Sequence, residues 1–156
     1  GTILFHDPAP VAEADIAALG AERAELDDLL ARADVVTVHV PLLPATENLI
    51  DARRLALMKP GAILVQAARG GIVNEPALAA ALESGHLAGA AVDVYTTEPP
   101  PNDHPLLTLS AAAAARVILT PHIAGVTRQS WATLFREAWD NVLNVVKEGQ
   151  APRNVI

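Results

Sequence analysis

Three charged side chains each follow an apolar, β-branched run of the sequence by a few residues. They are Arg69 after the run 62–65, Glu98 after the run 90–92, and His122 after the run 117–119. If these runs are neighbouring parallel strands, their carboxyl ends bring a guanidinium, a carboxylate and an imidazole to one edge of one sheet. Ligands of open α/β sheets bind outside that edge. The pattern therefore predicts a catalytic site.

The neighbours of these side chains fit such a site. Arg69 precedes Gly70-Gly71, where the backbone can approach a ligand closely. A guanidinium binds a carboxylate with two hydrogen bonds and polarises an adjacent carbonyl. Pro121 favours an extended backbone just before His122, so the imidazole is held on a fixed turn. A carboxylate such as Glu98 beside it favours the protonated ring, which a general acid needs.

The remaining histidines are interpreted as solvated or as satisfied core contacts. They are His6, His39, His86 and His104. None of the five histidines has metal-ligand spacing with another, and the chain has no cysteine, so we predict no metal site.

Asp7 ends an early strand run and allows two interpretations. A carboxylate in that position can accept hydrogen bonds from both hydroxyls of a nucleotide ribose and repels a 2′-phosphate. It can equally start the Asp7-Pro8 turn. The glycine-rich loop that usually accompanies a ribose-binding carboxylate, G-x-G-x-x-G, does not occur in the chain.

The elements that position these residues alternate between strands and helices. Strands are expected over 2–6, 35–40, 62–65, 87–94 and 117–119. Helices are expected over 25–33, 51–58 and 127–147, with another that starts at Asn74-Glu75 and ends before Gly85. Such alternation predicts βαβ units and a mostly parallel sheet, hence an α/β fold.

Composition narrows the possible partners. The chain of 156 residues is 51% hydrophobic, which is enough for a core in one domain. Its net charge of −7 argues against nucleic acid or an anionic membrane surface, and there is no apolar run that could span a bilayer. The absence of cysteine fits a reducing cytoplasm. Because the chain starts at Gly1 and its only methionine is Met58, we expect a processed product or part of something larger.

Five ordered motifs match one family. They are His39-Val40-Pro41-Leu42 with Thr46, Met58-Lys59-Pro60-Gly61-Ala62, Ala68-Arg69-Gly70-Gly71-Ile72-Val73, Val92-Asp93-Val94 before Glu98-Pro99, and Thr120-Pro121-His122-Ile123-Ala124-Gly125. With them, the chain resembles the NAD-binding domain of the D-isomer-specific 2-hydroxyacid dehydrogenases from residue 2 to residue 156, and residues 152–156 look like the family's C-terminus.

The resemblance implies roles in a hydride transfer between NAD and a D-2-hydroxy acid or its 2-keto acid. Arg69 would bind the carboxylate and carbonyl of the substrate. His122 would exchange a proton with the substrate oxygen, and Glu98 would pair with His122. Asp7 would bind the adenosine ribose, which favours NAD over NADP, and Asp93 would accept a hydrogen bond from the nicotinamide carboxamide. The other cofactor contacts implied are Val40, Pro41, Ala67, Ala68, Ala124, and again Arg69 and His122.

The chain departs from the family in several places. Gln66 stands where the family usually has Asn, and Asn74 where it often has Asp. Family members also have an earlier strand, a glycine-rich loop with its helix, and a substrate domain. We therefore expect residues 1–156 to form a partial NAD-binding domain: an incomplete Rossmann-like, doubly wound parallel sheet with exposed edges beside a gap. We expect it to be inactive alone, since pyrophosphate binding needs the loop and helix N-terminus.

Two other functions stay open. One is an NAD(H)-sensing scaffold, as in corepressor relatives of the same fold. The other is a truncated product that folds only by swapping elements with another copy. Within the enzyme interpretation, Glu98 argues against formate, for which the family pattern has Gln, while glyoxylate, hydroxypyruvate, phosphoglycerate and lactate remain open. We expect a homodimer, as is common in the family.

Overall fold

The computed structural model describes residues 1–153, which fall into two compact units. The first unit is Gly1–His122 and the second begins at Ile123. Residues 154–156, which belong to the motif expected at the C-terminus, lie outside the described residues. The assignment of residues 1–156 to one partial domain stays a prediction.

Strands and helices alternate along the first unit, and every strand pairing is parallel. The strands are β1 (Ile3–Phe5), β2 (Ala21–Arg23), β3 (Val35–Val38), β4 (Ile63–Gln66), β5 (Gly89–Val92) and β6 (Val117–Leu119). The helices are α1 (Glu13–Leu19), α2 (Leu26–Arg32), α3 (Ala52–Leu57), α4 (Glu75–Glu83) and α5 (Ala111–Ala114). The strands form two sheets, β1-β2 and β3-β4-β5-β6. The predicted α/β fold with parallel strands is confirmed.

Helix starts follow the capping residues that the sequence offers. The Asp51 side chain accepts a hydrogen bond from the Arg54 amide at 2.8 Å, which starts α3. The Asn74 side chain accepts one from the Ala77 amide at 2.9 Å, which starts α4. Each cap satisfies an amide that has no partner within its helix.

The core lies between one face of the larger sheet and helices α2, α3 and α4. The fully buried helix side chains are Leu30, Leu55, Leu78 and Leu82, and they belong to one cluster with Val36, Val38, Leu64, Ala90 and Val92 of the strands. The opposite face is apolar and is not covered by any element of the first unit: Val35, Ile63 and Ile118 are 57%, 41% and 66% exposed. Parallel sheets ordinarily bury both faces, so this unit covers only half of its sheet.

A cleft separates the two sheets. Strand β1 is paired only with β2, and β3 only with β4. Both strands line the same cleft, whose volume is about 760 Å³. The expectation of open strand edges on either side of a gap is therefore confirmed.

Three elements were not foreseen. Helix α1 contains no buried residue and has only 7 residues, which is too short for a clear helical period in the sequence. Strand β2 has three residues and no buried side chain, which is too short for a clear alternation. Helix α5 lies in the alanine run 111–115, and the Ser110 side chain caps it. The expected strand 87–94 is shorter, since only Gly89–Val92 pairs with neighbours.

The second unit consists mainly of α6 (Arg128–Glu148), as the sequence predicted. Thr127 and Ser130 form a capping box at its start, and Gly149 ends it with a φ of 62°. Its apolar stripe is exposed, with Leu134, Phe135 and Val146 between 60% and 75% accessible. Among the described residues, no helix combines the length and apolar character needed to cross a membrane.

We expect Leu82→Ala to lower the free energy of unfolding by about 2–5 kcal/mol, because it leaves a cavity in a closely packed core. Leu82 has no exposed surface. The matched control is Leu19→Ala, since Leu19 is 69% exposed on α1. Urea denaturation of both variants gives the comparison, and equal effects would contradict this description of the core.

An ionic clamp joins α2 to α3. Asp27 accepts hydrogen bonds from Arg53 at 2.7 Å and from Arg54 at 2.8 Å. These two hydrogen bonds, first from Arg53 and then from Arg54, lower the pKa of Asp27 from 3.8 to about 2. Because the folded pKa lies below the unfolded one, the clamp stabilises the fold above pH 3.8 and loses its effect as the pH falls towards 2.

Asp27→Asn should therefore lower the urea midpoint by a constant amount from neutral pH down to about pH 4, and by progressively less below it. Added salt should reduce the difference, since the clamp is half exposed. Asp103→Asn, at an exposed carboxylate after β5, serves as the control and should show no such dependence. A difference that persists unchanged to pH 2.5 would argue against the clamp.

Candidate active site

Strands β4, β5 and β6 end side by side. Val65 and Gln66 of β4 pair with Ala91 and Val92 of β5, and pairing continues past the strand ends through Asp93 N to Gln66 O at 2.9 Å and Thr120 N to Val92 O at 3.0 Å. The loops that carry Arg69, Glu98 and His122 therefore leave from the same edge. The prediction that their preceding runs are neighbouring parallel strands is confirmed.

The loops after β4 and β5 are in direct contact. A Cβ atom added to Gly70 would lie 1.9 Å from the Tyr95 carbonyl oxygen, so only glycine fits there. The next residue, Gly71, has a φ of 80°, which also favours glycine. The two glycines thus press the loop of Arg69 against the loop that leads to Glu98.

A buried glutamine shapes the turn of Arg69. The Gln66 side chain is 3% exposed, donates to the Arg69 carbonyl at 2.8 Å and accepts from the Ala68 amide at 3.3 Å. The Arg69 guanidinium is exposed and donates to the Ala68 carbonyl at 2.6 Å. The sequence analysis noted Gln66 only as a departure from the family. A polar residue at the end of a buried strand could have indicated that its side chain shapes the following turn.

Glu98 and His122 form a hydrogen-bonded pair at the sheet edge. The carboxylate of Glu98 accepts from His122 Nδ1 at 2.8 Å, and both side chains stay accessible, at 37% and 46%. The other Glu98 oxygen accepts from the Tyr95 amide at 3.0 Å. The hydrogen bond from His122, followed by that from Tyr95, lowers the pKa of Glu98, so Glu98 remains a carboxylate near neutral pH.

The backbone at His122 is in an uncommon conformation. Its φ is 55°, a left-handed value that costs a non-glycine residue about 1–3 kcal/mol. Such strain is concentrated at active sites and ligand-binding turns. The conformation therefore supports a functional assignment for this histidine that the sequence alone could not provide.

Asp93 is a buried acid at the same edge. It is 5% exposed and its Oδ1 accepts from the Thr120 hydroxyl at 2.5 Å. The Tyr95 hydroxyl donates to the Thr120 carbonyl at 3.1 Å, and burial raises the pKa of Tyr95. Sequence reasoning missed Thr120 and Tyr95, which fix Asp93 and the turn before His122.

Two clefts meet at the carboxyl end of β3. The 760 Å³ cleft is lined by Asp7, His39 and Val40. A second cleft of about 520 Å³ is lined by His39, Val40, Pro41, Leu42, Ala67, Ala68 and Arg69. Because His39 and Val40 belong to both, one groove leads from Asp7 to Arg69.

Asp7 also shows the turn that the alternative interpretation predicted. Its Oδ1 accepts from the Ala9 amide at 2.8 Å, and Arg23 donates to its carbonyl at 2.7 Å. The carboxylate is exposed in the groove, so the turn and a ribose contact are compatible. Ala124 belongs to the second unit, and its cofactor contact stays a prediction.

The other histidines make the structural contacts expected of them. The partners are the Ala24 carbonyl for His6, Thr37 for His39, the Leu55 carbonyl for His86 and Glu75 for His104. Within residues 1–153, no group of three or more His, Asp or Glu side chains could hold a metal ion.

Gly70→Ala should lower the free energy of unfolding by about 1–3 kcal/mol or more, because the added methyl group overlaps the Tyr95 backbone. Gly125→Ala is the control, since its Cβ would meet open space. Thermal or urea denaturation measures the difference. Similar stabilities of the two variants would show that the two loops are not in contact.

Comparison with known proteins gives the relatives of this chain. The profile described as "D-isomer specific 2-hydroxyacid dehydrogenase, NAD binding domain" matches residues 1–124. A D-3-phosphoglycerate dehydrogenase of Mycobacterium leprae is 48% identical over 128 residues, which is 82% of this chain and 23% of the relative. An (S)-sulfolactate dehydrogenase of Chromohalobacter salexigens is 47% identical over 144 residues, or 92% of this chain and 44% of the relative.

A solved structure agrees. The apo D-mandelate dehydrogenase of Rhodotorula graminis superposes with a TM-score of 0.83 at 34% identity, covering 99% of this chain and 44% of that one. The chain thus spans less than half the length of each of these relatives. Its parallel sheet agrees with these findings, and the chain belongs to the NAD-binding domain family of the D-isomer-specific 2-hydroxyacid dehydrogenases.

Proposed function

We propose that this chain provides the catalytic edge of an NAD-dependent oxidoreductase that interconverts a D-2-hydroxy acid and its 2-keto acid. The observation that supports the proposal most directly is the hydrogen bond of 2.8 Å between Glu98, which follows β5, and His122, which lies on the strained turn after β6. It lies at the same sheet edge as the loop of Arg69. An acid–base pair beside a carboxylate-binding group is what this reaction needs.

The three side chains have distinct tasks in this proposal. Arg69 binds the substrate carboxylate and polarises the carbonyl at C2. Since His122 Nδ1 is bonded to Glu98, its Nε2 gives the proton to the keto oxygen, or removes one from the hydroxyl in the oxidative direction. Glu98 holds the ring in place through its hydrogen bond to Nδ1.

We propose that a nicotinamide dinucleotide binds along the rim of the groove, at the carboxyl ends of the strands, and leaves the space between β1 and β3 free. When bound, the cofactor would supply the hydride as NADH in the reductive direction and accept it as NAD⁺ in the oxidative direction. We assign the ribose to Asp7 and the nicotinamide carboxamide to Asp93, with Val40, Pro41, Ala67 and Ala68 along the groove. The carboxylate of Asp7 favours NAD over NADP, since it repels a 2′-phosphate.

The open edges of β1 and β3 support a further part of the proposal. We propose that an additional parallel strand completes the sheet in the 760 Å³ cleft and that a glycine-rich loop beyond it binds the pyrophosphate. The sequence of this chain has no G-x-G-x-x-G motif. The 156 residues alone should therefore bind NADH weakly and show no turnover.

A chimera tests the proposed roles. This chain replaces the matching segment of the C. salexigens (S)-sulfolactate dehydrogenase, with which it shares 47% identity. The chimera should reduce the corresponding keto acid with NADH, followed at 340 nm. His122→Asn should lower kcat by about 10²–10⁴-fold, since Asn tolerates a left-handed backbone but is no acid. Arg69→Ala should raise the KM of the keto acid.

The matched control for the histidine variant is His86→Asn, because His86 bonds to the Leu55 carbonyl outside the site. It should leave kcat unchanged. The proposal would be contradicted by an active chimera whose kcat is unchanged by His122→Asn and whose KM for the keto acid is unchanged by Arg69→Ala. A full-rate dehydrogenase activity of the 156 residues alone would contradict the need for a completing strand.

We also propose a homodimer and a cytoplasmic location. The uncovered apolar face at Val35, Ile63 and Ile118 is a surface of the kind that subunits bury, and a chain without cysteine fits a reducing compartment. Size-exclusion chromatography with light scattering should give twice the chain mass of 16.3 kDa. A monomer at all concentrations would contradict the dimer.

A further inference from the structure

The first unit contains a second glutamate–histidine pair, which the proposed reaction does not use. Glu75 and His104 are hydrogen-bonded at 2.8 Å and are almost completely buried, at 11% and 6% exposure. Glu75 lies in the first turn of α4, and His104 on the loop between β5 and α5. Burying a carboxylate is costly unless hydrogen bonds compensate it, so this pair needs an explanation.

The hydrogen-bond donors to Glu75 belong to the loop between β5 and α5, which also carries Glu98. The Thr96 amide donates to it at 2.6 Å, the Thr96 hydroxyl at 2.9 Å, and His104 Nε2 at 2.8 Å. His104 Nδ1 accepts from the Leu106 amide at 3.3 Å, so the proton on Nε2 is the one that reaches Glu75. The buried carboxylate thus fixes Thr96 by two hydrogen bonds.

Two consecutive amides connect this inner pair to the outer one. The Thr96 amide donates to Glu75, while the Tyr95 amide donates to Glu98 at 3.0 Å. The Tyr95 ring meets the His104 ring edge-on at 5.6 Å. Its carbonyl is the atom against which Gly70 packs. The dipeptide Tyr95-Thr96 is therefore shared by both glutamate–histidine pairs and by the loop of Arg69.

We propose that Glu75 and His104 are positioning residues that hold Glu98 and His122 in catalytic geometry through Tyr95-Thr96. This inference rests on the proposed function. Without Glu75, the Thr96 amide and hydroxyl lose their acceptor, and the loop can relax. The Tyr95 amide then leaves Glu98, and the pair formed by Glu98 and His122 loosens.

Glu75→Ala tests the proposal, and α4 itself offers a matched control. Glu83, at the other end of α4, accepts from the Ser110 amide at 2.6 Å and from its hydroxyl at 2.7 Å, but has no histidine partner and no link to the site among the described contacts. Glu83→Ala therefore removes the same two kinds of hydrogen bond that Glu75 accepts from Thr96, one from an amide and one from the hydroxyl of the same residue. Glu75→Gln keeps an oxygen that can accept from Thr96 and should restore most of the wild-type behaviour.

The first readout needs no activity. In the 156-residue chain, NMR of the side-chain carboxyl carbons should show that the pKa of Glu98 rises in Glu75→Ala, because the Tyr95 amide contributes to lowering it. Loss of the negative charge of Glu75 alone would lower that pKa, so a rise is diagnostic of a displaced amide. Hydrogen exchange at the Tyr95 amide should accelerate as well, and neither quantity should change in Glu83→Ala.

The second readout is kinetic and uses the chimera. Glu75→Ala should lower kcat by roughly 10- to 100-fold through misplacement of the acid, with little change in the KM of NADH. An inactive chimera with the unaltered chain would count against the proposed function, whereas the carboxyl NMR still decides the positioning role. The positioning role is refuted if Glu75→Ala, like Glu83→Ala, changes neither the pKa of Glu98 nor the exchange rate of the Tyr95 amide.

A milder variant covers the case in which Glu75→Ala fails to fold. His104→Phe keeps an aromatic ring against Tyr95 but removes the hydrogen bond to Glu75. It should change the pKa of Glu98 and the Tyr95 exchange rate in the same directions, by smaller amounts. The absence of any change in this folded variant would equally overturn the proposal.

Discussion

Gly70 lies so close to the Tyr95 carbonyl that no side chain fits between them, and the geometry of the site depends on this contact. It determines how near the loop after β4 can come to the loop after β5. Arg69 immediately precedes Gly70, and the Tyr95 amide holds Glu98. The groups proposed to bind the substrate carboxylate and to orient the acid are thereby placed together by backbone packing.

The same loop also supports the strained turn of His122. A left-handed φ at a non-glycine residue persists only where its surroundings fix it. Here the Tyr95 hydroxyl holds the Thr120 carbonyl, and Glu98 holds the imidazole. Tyr95 therefore acts on His122 from two directions, through the backbone that precedes the turn and through Glu98. This explains how a half-exposed histidine can keep one orientation without burial.

The sequence predicted those features that depend on local chemistry. Strand β6 was predicted with its observed bounds, and the caps Asp51 and Asn74 marked the starts of α3 and α4. Contacts between residues that are distant in the sequence could not be predicted in this way, because no local pattern indicates them. Glu75 and His104 are 29 positions apart in the sequence, so their pairing could not be predicted from local spacing. The sequence analysis gave His104 only as a solvated histidine or a satisfied core contact. The close approach of Gly70 is likewise a property of the packed loops.

The two ends of the groove depend on different parts of the fold. The residues proposed for catalysis follow β4, β5 and β6, which are fully paired with one another and backed by the buried core. Asp7 follows β1, which belongs to the other sheet and faces β3 across an unfilled cleft. The catalytic end is thus held by hydrogen bonds and packing within the described chain. The end proposed to bind the ribose has no strand pairing to fix its distance from Val40, so the proposed affinity for the dinucleotide is the property that should depend most on completing the sheet.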